Sequence, residues 1–398
     1  MTNNCQYTRV YALIHLDAVI ANIQAMQKSL PPGTGVMGAV KADGYGHGAV
    51  PVALAIEAYV RGYLVAMVEE AKILRRHGIR KPILILGVTH QSRYPELLAD
   101  DIMPTLFTME QARPLAELAA ARHQKARVHL AVDTGMNRIG MPADEAGAEL
   151  AAAIARLPGI EVEGAFTHFA RADENDKTWT KKQLAAFQRF IGLLTDRGVS
   201  IPYKHCANSA GMIDLPGSHL DLVRPGIAIY GLYPSDEVKQ HNVRLEPVME
   251  LKSRVTYVKT IPAGSQVSYG GTFCAPKTMR IATIPVGYAD GYPRNLSNTG
   301  YVLIHGQKAP ILGRICMDQF MVDVSDILAA AVDDPVTLIG TDGTEQIRVE
   351  DLAALSGGFH YEIVCNIGKR VPRIFLNHGG VVGSKDYFDD IYHGFGGL

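Results

Sequence analysis

Short apolar runs alternate with helix-length segments through roughly the first 235 residues, and that alternation restricts the possible folds more than any other feature of the chain. The predicted strands are 36–41, 63–67, 83–86, 103–106, 128–132, 162–167, 203–206 and 220–223. Helix patterns lie between them at 17–30, 68–77, 109–122, 143–155 and 180–197, the first opening on Asp17 as a cap. Parallel strands need helical crossovers. Eight strand–helix units in this length match a closed (β/α)8 barrel better than an open doubly wound sheet. No GxGxxG turn follows a strand, which weakens a dinucleotide-binding reading.

Beyond about residue 240 the texture changes. Segments 248–260, 279–284, 301–304, 309–315, 321–324 and 335–339 are β-rich and punctuated by Gly, Pro and Asp, with one clear helix pattern at 349–355. The α/β chain therefore divides into a barrel over 1–240, whose first residues can pack on the second domain, and a mostly β domain over 241–398. The last twenty residues, from Gly379, are rich in glycine and aromatics and suggest no function.

Net charge is −1, so electrostatics gives no case for nucleic acid or an anionic membrane surface. No run approaches the roughly 18 apolar residues of a membrane span, and no signal peptide is visible at the start. Five scattered cysteines show neither metal-ligand spacing nor a disulfide framework. A cytoplasmic enzyme without a metal is the simplest expectation.

The unusual polar residues fall at the ends of the predicted barrel strands, where barrels of this kind place their chemistry. Lys41 ends the first strand, before a loop holding Gly44, Tyr45, Gly46, His47 and Gly48. A lysine half-desolvated there is suited to Schiff-base chemistry. Asp133 to Arg138 follow strand five, His168 ends strand six, Asn208 and Ser209 follow strand seven, and Arg224, Gly226 and Ile227 follow strand eight. The loops after strands seven and eight are a recurring phosphate site, here offering a serine hydroxyl and glycine-flanked amides. A Schiff-base lysine and a phosphate cradle on one rim imply pyridoxal 5′-phosphate (PLP), an electron sink for chemistry α to an amine.

The motifs AVKADGYGHG, VDTGMNRIG, THFA, CANSAG and DLVRPGIAIYG resemble those of the alanine racemases, a PLP-dependent family. In the second domain VSYGGTF, PVGYADGYPR, GRICMDQFMVDVS and KRVPRIF resemble the same family, in family order from about residue 9 to 376. The resemblance implies that Lys41 carries the cofactor and acts as one base. It implies that Tyr269 is the second base, reaching the site from the other subunit of a homodimer together with Met317. It further places Tyr45, Ser209, Gly226 and Ile227 on the phosphate, Arg224 at the pyridine nitrogen and Arg138 at the phenolic oxygen. His168 supports the ring and bonds toward Tyr269, Asn208 lies beside the cofactor, and Tyr288 helps form the substrate entrance. Racemisation needs two bases on opposite faces of one carbon, and two domains can supply them. Arginine is a permanent donor, so a ring nitrogen facing it stays unprotonated and side reactions at the cofactor carbon are limited.

Two positions depart from the family pattern. Ala131 stands where many relatives have a lysine, carbamylated in some, that braces the arginine equivalent to Arg138. An unpaired buried guanidinium would need an anion such as chloride, or an acceptor such as Asn137. Lys369 stands where many relatives place a phosphate-contacting tyrosine; it either contacts the phosphate as a point charge or is solvated. The resemblance implies interconversion of L- and D-alanine, linked to peptidoglycan synthesis, with serine or broader preference as the alternative. A decarboxylase relative is disfavoured by Arg224 at the ring nitrogen, and a non-catalytic PLP carrier by the β domain.

Overall fold

A computed structural model describes residues 9–387. All eight expected barrel strands form, at Gly35–Ala39, Gly62–Val65, Ile83–Ile85, Thr105–Leu106, Ala126–Asp133, Ile160–Phe166, Tyr203–His205 and Leu222–Val223. Every neighbouring pair is parallel, and Leu222–Val223 returns to pair with Gly35 and Val36. The third and fourth strands meet through one parallel bridge, Leu84 to Met103, which closes the ring. This is the (β/α)8 barrel the alternation predicts.

The helices between the strands carry their own start signals. Thr108 and Gln111 form a reciprocal capping box at Met109–Ala121, and Asp144 accepts the Gly147 amide at the head of Glu145–Ala155. The expected Asp17 cap is not there. Strand Val10–His15 runs straight into helix Leu16–Lys28, so Asp17 falls inside the first turn. Helices Ala49–Ile56 and Tyr94–Ala99 escape the sequence reading because one lacks a polar face and the other has only six residues.

Contacts divide the chain into two compact units. Among the described residues, the barrel unit comprises 18–44 and 49–247, and the second comprises 9–17, 45–48 and 248–387. The second unit is a sheet of antiparallel neighbours, with one parallel pair between Val10–His15 and Arg373–Asn377. A small apolar cluster of Ile261, Val267, Ala275, Met279, Ile281 and Leu312 packs at one end. Of the last twenty residues, Gly380–Lys385 form a strand against Arg373–Asn377, and those after 387 lie outside the described residues.

Gly46 is needed by both backbone and space. Its φ is +80°, and an added Cβ would sit 2.1 Å from the Val364 carbonyl oxygen. Gly46→Ala should therefore cost about 2 kcal/mol or more, read as a lower urea midpoint at unchanged m-value; an unaltered midpoint would show that the loop can yield.

Candidate active site

The first barrel strand ends at Ala39, and Lys41 opens a short turn of unusual hand. Ala42, Asp43, Gly44 and Tyr45 all have positive φ, at 52°, 49°, 64° and 52°. Left-handed backbone costs a non-glycine residue about 1 kcal/mol or more, so the surroundings must enforce it. They do so with several hydrogen bonds. Glu70 accepts the amides of Ala42 and Ala66, each at 2.7 Å. Asp43 accepts the Ala49 amide at 2.9 Å, and the Tyr230 hydroxyl donates to Ala39 O at 2.9 Å. Half-buried Lys41 is thereby set on a rigid, strained support at the barrel rim. Tyr45 is buried, its ring 6.3 Å from that of Tyr361.

Arg224, at the end of the eighth strand, is 4% exposed. It donates to His205 Nδ1 at 2.9 Å, Thr167 O at 2.7 Å, Cys206 O at 3.1 Å and His168 Nδ1 at 3.2 Å. Every one of these acceptors is neutral, so among the described residues no carboxylate hydrogen-bonds the guanidinium. Burial lowers its pKa to about 10. Burial, followed by the Arg224 charge, also holds His168 and His205 well below the usual imidazole value. His129, hydrogen-bonded to His205, is pushed down to about 3 for the same two reasons, with Arg127 adding to them. The Cys206 thiol is pushed up to about 12 by burial.

At the end of the seventh strand Asn208 caps helix Ser209–Asp214, its Oδ1 accepting the Gly211 amide at 2.9 Å. Buried Ser209 receives the Gly226 amide at 2.9 Å and the Ala228 amide at 3.4 Å, and Ile227 is buried between them in sequence. Two backbone amides thus converge on the Ser209 hydroxyl, whose own proton can be donated to an anion. These donors, the uncompensated Arg224 and the Lys41 amine together suit a phosphorylated, ring-bearing aldehyde such as PLP.

Beyond the fifth strand, Asp133 Oδ1 gathers the amides of Gly135, Met136 and Asn137 at 2.8, 3.0 and 3.1 Å. Arg138 follows this turn and is exposed, which corrects the expectation of a buried guanidinium. The exposed polypeptide end of the turn leaves its charge to solvent, so no large desolvation cost attaches to it. Ala131 and Arg138 nevertheless both line a cavity of about 30 Å³, shared with Met136, Phe166, Thr167 and His168.

In the second unit three loops converge. Tyr269 stands on a turn with Ser268 at φ 65° and Gly270 at φ 74°, and is 71% exposed. The Ser268 hydroxyl donates to Arg314 O and lies 3.3 Å from Cys316 Sγ. The Tyr288 amide donates to Cys316 O and the Ala289 amide to Met317 O, both at 3.1 Å. The loops of Tyr269, Tyr288 and Met317 are thus tied together, and all three side chains are more than 40% exposed, an uncommon grouping for large side chains. Buried Asp290 clamps the same loops, binding Arg9 through two 2.6 Å bonds and the Gly287 amide at 2.9 Å. Lys369 is exposed. Sequence reasoning missed Glu70, His129, His205, Arg9 and Asp290. Only the histidines carried a signal, as polar residues inside otherwise apolar strands.

A parallel barrel with a lysine, an arginine and an anion cradle on its rim, followed by a β unit, defines a class of two-part barrel enzymes. The comparisons with known proteins carry this further. The alanine racemase N-terminal domain family matches residues 14–234 and the C-terminal domain family residues 248–375. The chain is 45% identical to the alanine racemase of Desulforamulus reducens over 92% of its length and 99% of that protein. It is 42% identical to that of Clostridium tetani over 95% and 98%. The solved structure of the Clostridium difficile 630 alanine racemase superposes with a TM-score of 0.92 at 37% identity, covering 96% of this chain and 99% of that one. A Bacillus anthracis alanine racemase with bound L-Ala-P gives 0.91 at 35%, covering 97% and 99%. The chain belongs to the alanine racemase family, whose members are PLP-dependent isomerases.

Two predictions follow from the electrostatics of the mouth. An unfolded histidine takes up a proton near 6.5, whereas His129 in the fold resists protonation until about pH 3. The folded state therefore binds fewer protons, and stability is full above 6.5 and lost as pH falls toward 3. Urea titrations across this window should show falling stability, less steeply in His129→Asn; an identical slope in that variant would assign the acid sensitivity elsewhere. For the cavity beside Ala131, we expect chloride to lie against Arg138. Exchanging chloride for a bulky anion should lower activity with little change in thermal midpoint, because the guanidinium is exposed. No anion density and no change in rate would favour a protein-only brace such as Asn137.

Proposed function

We propose that the protein interconverts L- and D-alanine through two bases contributed by two subunits, in the cytoplasm, supplying D-alanine for peptidoglycan. The observation that carries this reading is the pairing of Lys41, on its enforced left-handed turn, with a buried Arg224 that has only neutral acceptors. When bound, PLP supplies the electron sink that acidifies the hydrogen on the carbon beside the amine. Lys41 would hold the group through its amine and then exchange a proton on one face of that carbon. Tyr269 of the partner subunit would exchange the proton on the other face, so removal on one side and delivery on the other inverts the centre.

Arg224 would face the ring nitrogen and, as a permanent donor, keep it from carrying its own proton. Arg224 would thereby limit the electron sink the bound group supplies, keeping proton exchange at the substrate carbon between Lys41 and Tyr269. Ser209, Gly226, Ile227 and Tyr45 would hold the phosphate, with Lys369 as an outlying point charge. Arg138 would meet the phenolic oxygen, and His168 would support the ring and bond toward the partner subunit's phenol. Asn208 would set the helix terminus beside the phosphate through its capping bond. Met317 and Tyr288 would shape the substrate side. The exposure of Tyr269, Tyr288 and Met317 supports their use at a subunit interface. No helix among the described residues is long and apolar enough to cross a membrane.

Mixing inactive Lys41→Ala with inactive Tyr269→Ala tests the two-subunit arrangement by chiral analysis of products from a panel of L-amino acids. Random subunit exchange should restore about a quarter of the wild-type sites, one intact site in each mixed dimer. Absence of activity despite demonstrated exchange would place both bases in one chain, and faster turnover of serine than alanine would replace the substrate assignment.

A further inference from the structure

Behind Arg224 lies a second layer that the proposed chemistry does not use. The guanidinium Nη1 can only donate, so His205 Nδ1, at 2.9 Å, must accept. A neutral imidazole carries one proton, so that of His205 is on Nε2. This nitrogen lies 2.8 Å from His129 Nδ1, which must in turn present its lone pair. The proton of His129 is then on its own Nε2. Each tautomer in the row is dictated by the one before it, starting from a group that cannot change its role.

The site is built to hold this row. His129 and His205 are at most 1% exposed. Phe166 stacks on His205 with ring centroids 5.2 Å apart and planes at 20°, and Arg224 lies 5.3 Å from the same Phe166 ring. Gly164 leaves the space for His129, since a Cβ there would come within 2.4 Å of Nδ1 and 2.8 Å of Tyr203 O. Among the described residues no protein group hydrogen-bonds to His129 Nε2, so no donor at that end of the row opposes a proton there.

We propose that His129 is a positioning residue for Arg224, acting through His205. Its lone pair holds the His205 proton on Nε2, and His205 therefore always offers Nδ1 to the guanidinium. With the opposite tautomer, His205 would point a donor at a donor, and Arg224 would turn away from its place at the barrel mouth. A neutral acceptor also leaves the full guanidinium charge directed outward, as a carboxylate in the same position would not. The effect on cofactor binding rests on the PLP reading above; the tautomer assignment does not.

Two measurements test this separately. Nitrogen NMR of histidine-labelled holoenzyme, with signals assigned through His129→Asn and His205→Asn, should show both imidazoles neutral and protonated at Nε2. A proton at Nδ1 of His205 would overturn the proposal whatever the variants do. In the second, His129→Asn keeps an amide oxygen for the His205 proton, whereas His129→Leu fills the apolar space but offers no acceptor. His129→Leu should weaken PLP binding about tenfold, the size of one lost hydrogen bond, and shift the absorption band of the bound cofactor. His129→Asn should remain within about threefold of wild type. A purely packing role predicts the reverse order, with leucine the better tolerated, and that result would refute the positioning role. If the NMR result holds while neither variant changes affinity or spectrum, the row orders the barrel but not Arg224, and the proposal fails. If wild type binds no PLP at all, the failure belongs to the cofactor assignment.

Discussion

Closure of eight short parallel strands is the constraint on which the barrel unit depends. Parallel pairing leaves every strand pointing the same way, so all eight C-terminal ends meet on one rim. Several strands are only two or three residues long, and the ring between the third and fourth is completed by a single bridge from Leu84 to Met103. Such brief strands cannot hold a rim rigid by themselves. Side chains reinforce it, as where Thr105 donates across the closure to Ile85 O and Tyr230 reaches back to Ala39 O.

The rim is electrostatically unusual in a consistent direction. Arg224 is buried among carbonyls and neutral imidazoles, so its hydrogen-bond partners do not offset its charge. An uncompensated buried cation opposes folding, and so do three non-glycine residues with left-handed backbone beside Lys41. Both costs fall on the site rather than the scaffold. The capping boxes and apolar strands elsewhere follow ordinary rules and offset them.

The second unit shows the complementary pattern. Asp290 meets Arg9 and Arg370, while Tyr269, Tyr288 and Met317 stand in solvent. Three loops far apart in sequence are tied to one another by two backbone hydrogen bonds and the Ser268 hydroxyl, so Tyr269, Tyr288 and Met317 are presented as a set. A rigid, exposed, apolar group of this kind is suited to being covered by another surface.

Strand and helix positions were legible from the chain because apolar periodicity reports burial directly. All eight barrel strands lie within a few residues of where alternation puts them, and Lys41, Arg224 and Ser209 stand out as polar residues at strand ends. The family, too, was legible in its motifs. What the chain alone could not show was which polar groups meet. His129 and His205 are 76 positions apart, and Arg9 and Asp290 are 281 apart, so their pairing depends on barrel closure and sheet order. The exposure of Arg138 likewise could not be read from its neighbours, because burial depends on what the folded chain packs over a residue. Local sequence determined the elements and the chemical types at their ends. Tertiary structure alone decided the hydrogen-bond partners and the left-handed turn at Lys41, since each is set by contacts between segments that only folding brings together.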